Sequence, residues 1–227
     1  WCLYSYQFHR RAKLIQEKLP YLSAKPLRFP CALPTSPIGS WALLTENQIL
    51  ASSKCSSFFK NGKILFEENK EAPPSRAYLK LYESLTRIEK FPQPGDFCID
   101  AGGSPGGWTW VIQKLGARVL SIDRSPLDAK IASLPNVEYH KGDVFSIKPS
   151  DYDKVDWLFS DVICFPEKLF DWISLWFESK KCKNFICTIK FQGTPNYSFA
   201  RKFLEFEGSQ VVHLYNNKHE LTFIHKE

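Results

Sequence analysis

The chain has 227 residues, 44% hydrophobic and 15% aromatic, enough for one full core and a small second module, and its formal net charge is +6. No apolar run approaches the roughly 20 residues a membrane helix needs, and no charged-then-apolar leader is seen, which argues against a membrane-spanning or exported protein and predicts a cytoplasmic one. The cysteines at 2, 31, 55, 98, 164, 182 and 187 form no C-x-x-C pair, which predicts reduced thiols packed as small hydrophobes and no metal site, zinc or disulfides being the alternative. Trp1 stands first and methionine is absent altogether, which points to residues missing from the chain, so motif spacings are read to within about a residue.

The charge is unevenly placed. Residues 1–70 carry ten Lys and Arg against four Asp and Glu, the whole surplus of six, whereas residues 71–227 carry twenty of each. A basic module joined to a neutral one suggests that the first holds a polyanion for the second; the plainer reading is a solvated basic surface. Within 1–70, RRAKLIQEKL reads as a helix and SWALLT, QILASS and KILFEE as short strands, the last after the turn signal Asn61-Gly62. That is a small α+β unit. A boundary is expected near EAPPS (71–75), where two prolines follow a mixed-charge run, leaving 71–227 as a second domain.

From residue 75 the pattern is regular. SRAYLKLYESLTRIEK carries apolar residues at 78, 81, 82, 85 and 88, a helical stripe with Ser75 as candidate N-cap and Lys80 on the opposite, polar side. Strand-like and helix-like runs then alternate through DFCIDAG, GWTWVIQKLG, RVLSIDR, VEYHKGD, VDWLFSDV, KLFDWISLWFESK, NFICTIKF and SFARKFLEFEG. Such alternation predicts an α/β, doubly wound, mostly parallel sheet. SQVVHLY and HELTFIHK, separated by NNK, read as an antiparallel hairpin that supplies the last strand.

DAGGSPGGWTW (100–110) falls on the first strand-to-helix loop, where ligands of such sheets bind. The glycines stand at 102, 103, 106 and 107, with Ser104 where a dinucleotide fingerprint wants its second glycine. A carboxylate, Asp100, beside a glycine turn suits a ligand with a cationic amino group and no pyrophosphate, such as S-adenosylmethionine; a plain structural turn is the alternative. Asp123 ends the next strand, placed to accept from ribose hydroxyls, and Asp143 ends a third, suited to an adenine amino group. Each acid alone reads as a cap or loop residue. Three at consecutive strand ends fit one adenosine pocket.

Two further strand ends carry reactive groups. VDWLFSD ends in Asp161, and the apolar run NFICTIK ends in Lys190, a costly terminus unless paired or functional. Glu220 opens the final strand, whose antiparallel course brings its start to the rim where the parallel strands finish.

Lys80, Asp161, Lys190 and Glu220 in this order, together with DAGGSPGGW, resemble the K-D-K-E tetrad and D-x-G-x-x-P-G-G-W motif of the FtsJ (RrmJ) family of RNA ribose 2′-O-methyltransferases. PPSRAYLKL and SPGGWTW look closest to its RlmM branch, which acts on cytidine of large-subunit ribosomal RNA. The resemblance covers residues 72–227; Ala77 departs from it, since that branch tends to a serine there. It implies a Rossmann-like methyltransferase domain that uses S-adenosylmethionine, with Asp100, Gly102, Ser104, Pro105, Gly106, Gly107, Trp108, Asp123, Asp143 and Asp161 at the cofactor. It also implies RNA, ribosomal in particular, as partner and a THUMP-like RNA-binding module in 1–70.

The implied chemistry is permitted by the residues. A ribose 2′-hydroxyl is a weak nucleophile and needs a positioned base, for which Lys190 is the candidate. The nearby Lys80 charge and partial desolvation favour its neutral amine, while Asp161 and Glu220 hold the two amines in place. A purely structural ion-pair network is the alternative. Trp108, Trp110 and Tyr197 are candidates to stack on bases, core packing being the other fate, and Arg10, Arg11, Lys13, Lys25 and Arg28 are candidate phosphate contacts. Against an RNA 2′-O-methyltransferase stand a methyltransferase on an mRNA cap or small molecule, and a non-catalytic RNA-binding relative.

Overall fold

The alternation of apolar and amphipathic runs beyond residue 96 folds as a sheet flanked by helices. The computed structural model describes residues 1–20, 22, 25–193 and 197–227, and the chain separates into two units, Trp1–Glu68 and Asn69–Glu227.

The first unit contains β1 (Cys2–Leu3), α1 (His9–Gln16), β2 (Ser40–Thr45) and β3 (Gln48–Ser52). β2 pairs parallel with β1 and antiparallel with β3, and Ala12 of α1 packs on Trp41 and Leu43 of β2. The expected strand over KILFEE does not form. Ile64 and Phe66 are buried and Leu65 exposed, the alternation of a strand, yet its ladder reduces to one bridge between Phe66 and Leu27. Pro26, just before Leu27, has no N–H with which to extend that pairing. The Asn61-Gly62 signal appears as a 3₁₀ turn over Lys60–Gly62.

The second unit contains α2 (Tyr78–Ile88), β4 (Phe97–Ala101), α3 (Gly107–Lys114), β5 (Arg118–Asp123), α4 (Ala129–Ala132), β6 (Val137–Lys141), β7 (Val155–Ser160), α5 (Pro166–Ser179), β8 (Cys182–Lys190), β9 (Gln210–Val212) and β10 (Glu220–His225). Its strands stand in the order β6-β5-β4-β7-β8-β10-β9. The first five run parallel, β10 lies antiparallel to β8, and β9 antiparallel to β10. This is the expected Rossmann-like sheet. From β4 the chain steps outward to β5 and β6, then returns to β7 on the other side of β4, so the carboxyl ends of β4 and β7 border the switch point. β7 and β8 are buried on both faces, as their nearly unbroken apolar sequence requires.

Three local expectations are corrected. α2 starts at Tyr78; Ala77 already has helical angles, and Ser75 does not cap it. The Ser75 hydroxyl packs instead against the first turn of α3, 2.8 Å from where a Cβ on Gly107 would stand. α2 has no solvated side either, because ten of its eleven residues are buried, Lys80 among them. SFARKFLEFEG forms a 3₁₀ helix over Tyr197–Glu205 that buries Ala200 and Phe203, three residues apart as a threefold helix demands. All seven cysteines are free thiols and five are buried. Among the described residues, no helix is long and apolar enough to cross a membrane, and no group of His, Cys, Asp and Glu side chains could hold a metal ion.

Candidate active site

Four side chains from four elements meet beside the switch point. Lys80 comes from α2, Asp161 from the residue following β7, Lys190 from the end of β8 and Glu220 from the start of β10. Register explains the last pair, since β8 and β10 are antiparallel with Glu220 directly opposite Lys190. Lys80 Nζ donates to both carboxylate oxygens of Asp161 at 2.8 Å and to Glu220 Oε1 at 2.9 Å. Lys190 Nζ stands 3.0 Å from Asp161 Oδ1 and also donates to the Asp161 backbone carbonyl. Two cations and two anions thus sum to zero, which makes their burial tolerable.

The two lysines are not equivalent. Lys80 spends its N–H groups on carboxylate oxygens, its side chain is 9% exposed, and its ammonium sits 5.9 Å over the Trp108 ring. Lys190 is 20% exposed and lines a cavity, as Asp161 does. Burial alone would raise the Asp161 carboxyl, but the adjacent Lys80 and Lys190 ammonium groups outweigh it and hold the carboxyl below the usual carboxylate range. One turn beyond Lys80, the fully buried Glu83 accepts the backbone N–H of Tyr215 at 3.0 Å and of Asn216 at 3.3 Å. The helix that carries Lys80 thereby fixes the loop that leads to Glu220. Glu83 is absent from the residues expected at the site; an acid facing inward from an apolar helix is the signal that marks it.

The cavity, about 630 Å³, opens at the carboxyl ends of the parallel strands, a size suited to a small-molecule ligand. Gly102, Ser104, Asp123, Asp143, Val144 and Phe145 line it, together with Asp161, Ile163, Phe165, Lys168 and Lys190. Gly102 has φ +86, and a Cβ there would stand 2.8 Å from Val162 Cα, so the turn closes against the β7–α5 loop only because it is glycine. Asp123 organises the turn, accepting Ser104 N–H at 3.1 Å and Ser125 N–H at 2.9 Å. Asp143 accepts Phe145 N–H at 3.1 Å and pairs with Arg124 at 2.6 Å, contacts that hold its carboxyl below the usual range.

Other expected cofactor residues stand away from this lining. Asp100 is fully buried beneath the turn, with Thr109 Oγ1 donating to its Oδ2 at 2.6 Å, while its Oδ1 has no protein partner. Burial pushes this carboxyl up to about 7; the Thr109 hydrogen bond opposes the rise and the Asp161 and Asp123 charges add to it. Asp100 therefore lies beneath the turn, outside the cavity lining. Pro105, Gly106 and Gly107 shape the turn without lining the cavity: Asp128 N–H donates to Pro105 O at 2.9 Å, and Gly106 at φ +118 enters α3. Trp108 is a packing residue, 3% exposed, with Nε1 donating to Ala77 O at 2.9 Å. Trp110 is likewise buried, so neither tryptophan is available to stack on a base, whereas Tyr197 is exposed. The lining of carboxylates, turn amides and an aromatic fits an adenosyl ligand bearing an amino group.

A Rossmann-like sheet whose switch point holds a buried lysine–carboxylate cluster beside an adenosyl-sized cavity belongs to the methyltransferase class. Residues 73–223 match the FtsJ-like methyltransferase family model, and the chain belongs to that family. Among curated proteins it is similar to ribosomal RNA large subunit methyltransferase M of Halorhodospira halophila, 31% identical over 157 residues and covering 66% of this chain and 46% of that protein. The Xanthomonas oryzae pv. oryzae protein of the same name is 32% identical over 165 residues, covering 66% and 47%. The chain thus spans about half the length of the curated relatives it matches. Among solved structures, one described as a ribosomal RNA methyltransferase from Plasmodium falciparum shares the fold at TM-score 0.51 and 19% identity, covering 67% of this chain and 97% of that one. A Lactococcus lactis structure described as a hemolysin shares it at TM-score 0.57 and 21% identity, covering 70% and 90%.

Proposed function

We propose that the protein methylates a ribose 2′-hydroxyl of RNA, ribosomal RNA of the large subunit in particular, using S-adenosylmethionine. The observation that carries this is the set of ion pairs joining Lys80, Asp161, Lys190 and Glu220, of which Asp161 and Lys190 line the cavity. When bound, S-adenosylmethionine supplies an electrophilic methyl on a positively charged sulfur. Gly102, Ser104, Asp123, Asp143, Val144 and Phe145 would hold it. Lys190, the tetrad lysine facing the cavity, first gives up its own proton to water; the neutral amine then takes the proton from the 2′-hydroxyl, and Asp161 pairs with the ammonium so formed. Lys80 and Glu220 fix Asp161 in place without touching substrate. An amine nucleophile would need no lysine base, which favours a hydroxyl acceptor. Unit 1, with Arg10, Arg11, Lys13, Lys25 and Arg28 all exposed, would hold RNA by its phosphates.

Purified protein given radiolabelled S-adenosylmethionine and ribosomal RNA is expected to yield a 2′-O-methyl nucleoside. Lys190→Ala should lower turnover by at least about a hundredfold while leaving cofactor affinity within about twofold. Label on a base nitrogen, or undiminished turnover in the variant, would overturn the reading.

A further inference from the structure

The loop between β7 and α5 holds two large apolar side chains in water at the cavity mouth. Ile163 is 75% exposed, more than any other large hydrophobic side chain among the described residues, and Phe165 is 58% exposed. The exposure is imposed by the backbone. Val162 turns inward against Gly102 and Cys164 is buried in the core cluster, so the intervening Ile163 and the following Phe165 must turn outward. Pro166 then starts α5 at once, with its ring fixing φ and leaving the loop little freedom.

Both side chains line the same cavity as Lys190. Lys168 and Lys190 accompany them in the lining, and Lys168 Nζ lies 4.0 Å over the Phe145 ring. An aromatic ring and an aliphatic side chain in water, with ammonium groups alongside, suit a flat heterocycle attached to a phosphate chain. Resting on the RNA reading above, we propose that Ile163 and Phe165 form the ledge on which the target nucleotide's base stacks while its ribose faces Lys190.

The test uses the full chain saturated with S-adenosylhomocysteine and end-labelled single-stranded RNA homopolymers of about twelve nucleotides, with binding read by fluorescence anisotropy. Phe165→Ala should weaken binding about tenfold, as the loss of one stacked base does, Phe165→Trp should keep it, and Phe165→Leu should behave like the alanine variant. Calorimetric affinity for S-adenosylhomocysteine should stay within about twofold in all three. In turnover, the alanine variant should raise KM for RNA more than it lowers kcat. Native RNA affinity in Phe165→Ala, or rescue by leucine equal to that by tryptophan, overturns the ledge alone. A native protein that binds S-adenosylhomocysteine but none of the homopolymers overturns the RNA reading and the ledge with it.

Discussion

Lys80 shows most directly how a charge becomes tolerable inside a fold. Its ammonium is the shared counter-charge of Asp161 and Glu220, so Lys80→Met leaves two buried carboxylates under-compensated and should cost about 3–5 kcal/mol in urea unfolding near neutral pH. Asp161 is depressed in the folded state, so its contribution is present above the ordinary carboxylate range and is lost as pH falls. The deficit of the variant should therefore shrink on acidification below about pH 4. Asp100 runs the other way. Its folded value of about 7 lies above the ordinary value of 3.8, the folded state holds the extra proton between them, and the native chain loses stability as pH rises through that window. Relative to the native protein, Asp100→Asn should gain up to about 3 kcal/mol between pH 5 and 8, measured by thermal unfolding at each pH. A constant difference would remove the buried carboxylate from the account. Lys190 is legible in the sequence because an ammonium ending an apolar strand has few structural excuses. The depth of Asp100 is not, since a strand-end carboxylate reads the same whether it lies beside a turn or beneath it; Ser121 and Thr109, polar and buried next to it, are the sign of that depth.

At the scale of elements, the turn between β4 and α3 is the tightest joint. Gly102→Ala meets both a positive φ and the Val162 backbone, and should cost about 1–3 kcal/mol and weaken S-adenosylhomocysteine binding. Gly62→Ala is the control: its φ is +71 but nothing lies within 4 Å, so it should carry the smaller backbone penalty and leave ligand affinity alone. The strands are readable because burial on both faces demands continuous apolar sequence and β-branched residues. What escapes such reading is partnership. KILFEE has the right period but finds a one-residue partner beside Pro26, and SFARKFLEFEG has apolar spacing that fits a threefold helix as well as an α-helix.

For the whole molecule, charge is partitioned as chemistry is. The basic surplus lies in residues 1–70, the tetrad and cavity in the neutral remainder. If the first unit grips phosphates, replacing Arg10, Arg11 and Lys13 with serine should weaken single-stranded RNA binding uniformly across sequences. The slope of log affinity against log salt should fall by roughly 0.7 for each phosphate no longer neutralised, with S-adenosylhomocysteine affinity unchanged. An unchanged slope would leave these residues as ordinary solvated surface. The order of parts along the chain has a temporal meaning too. Every residue lining the cavity lies between Gly102 and Gln192, whereas Glu220 arrives with β10. A ribosome making this chain therefore adds every residue of the cavity lining before the second anion of the cluster exists. A nascent or prematurely terminated chain lacking β10 would carry the cavity's lining residues without the complete set of charges.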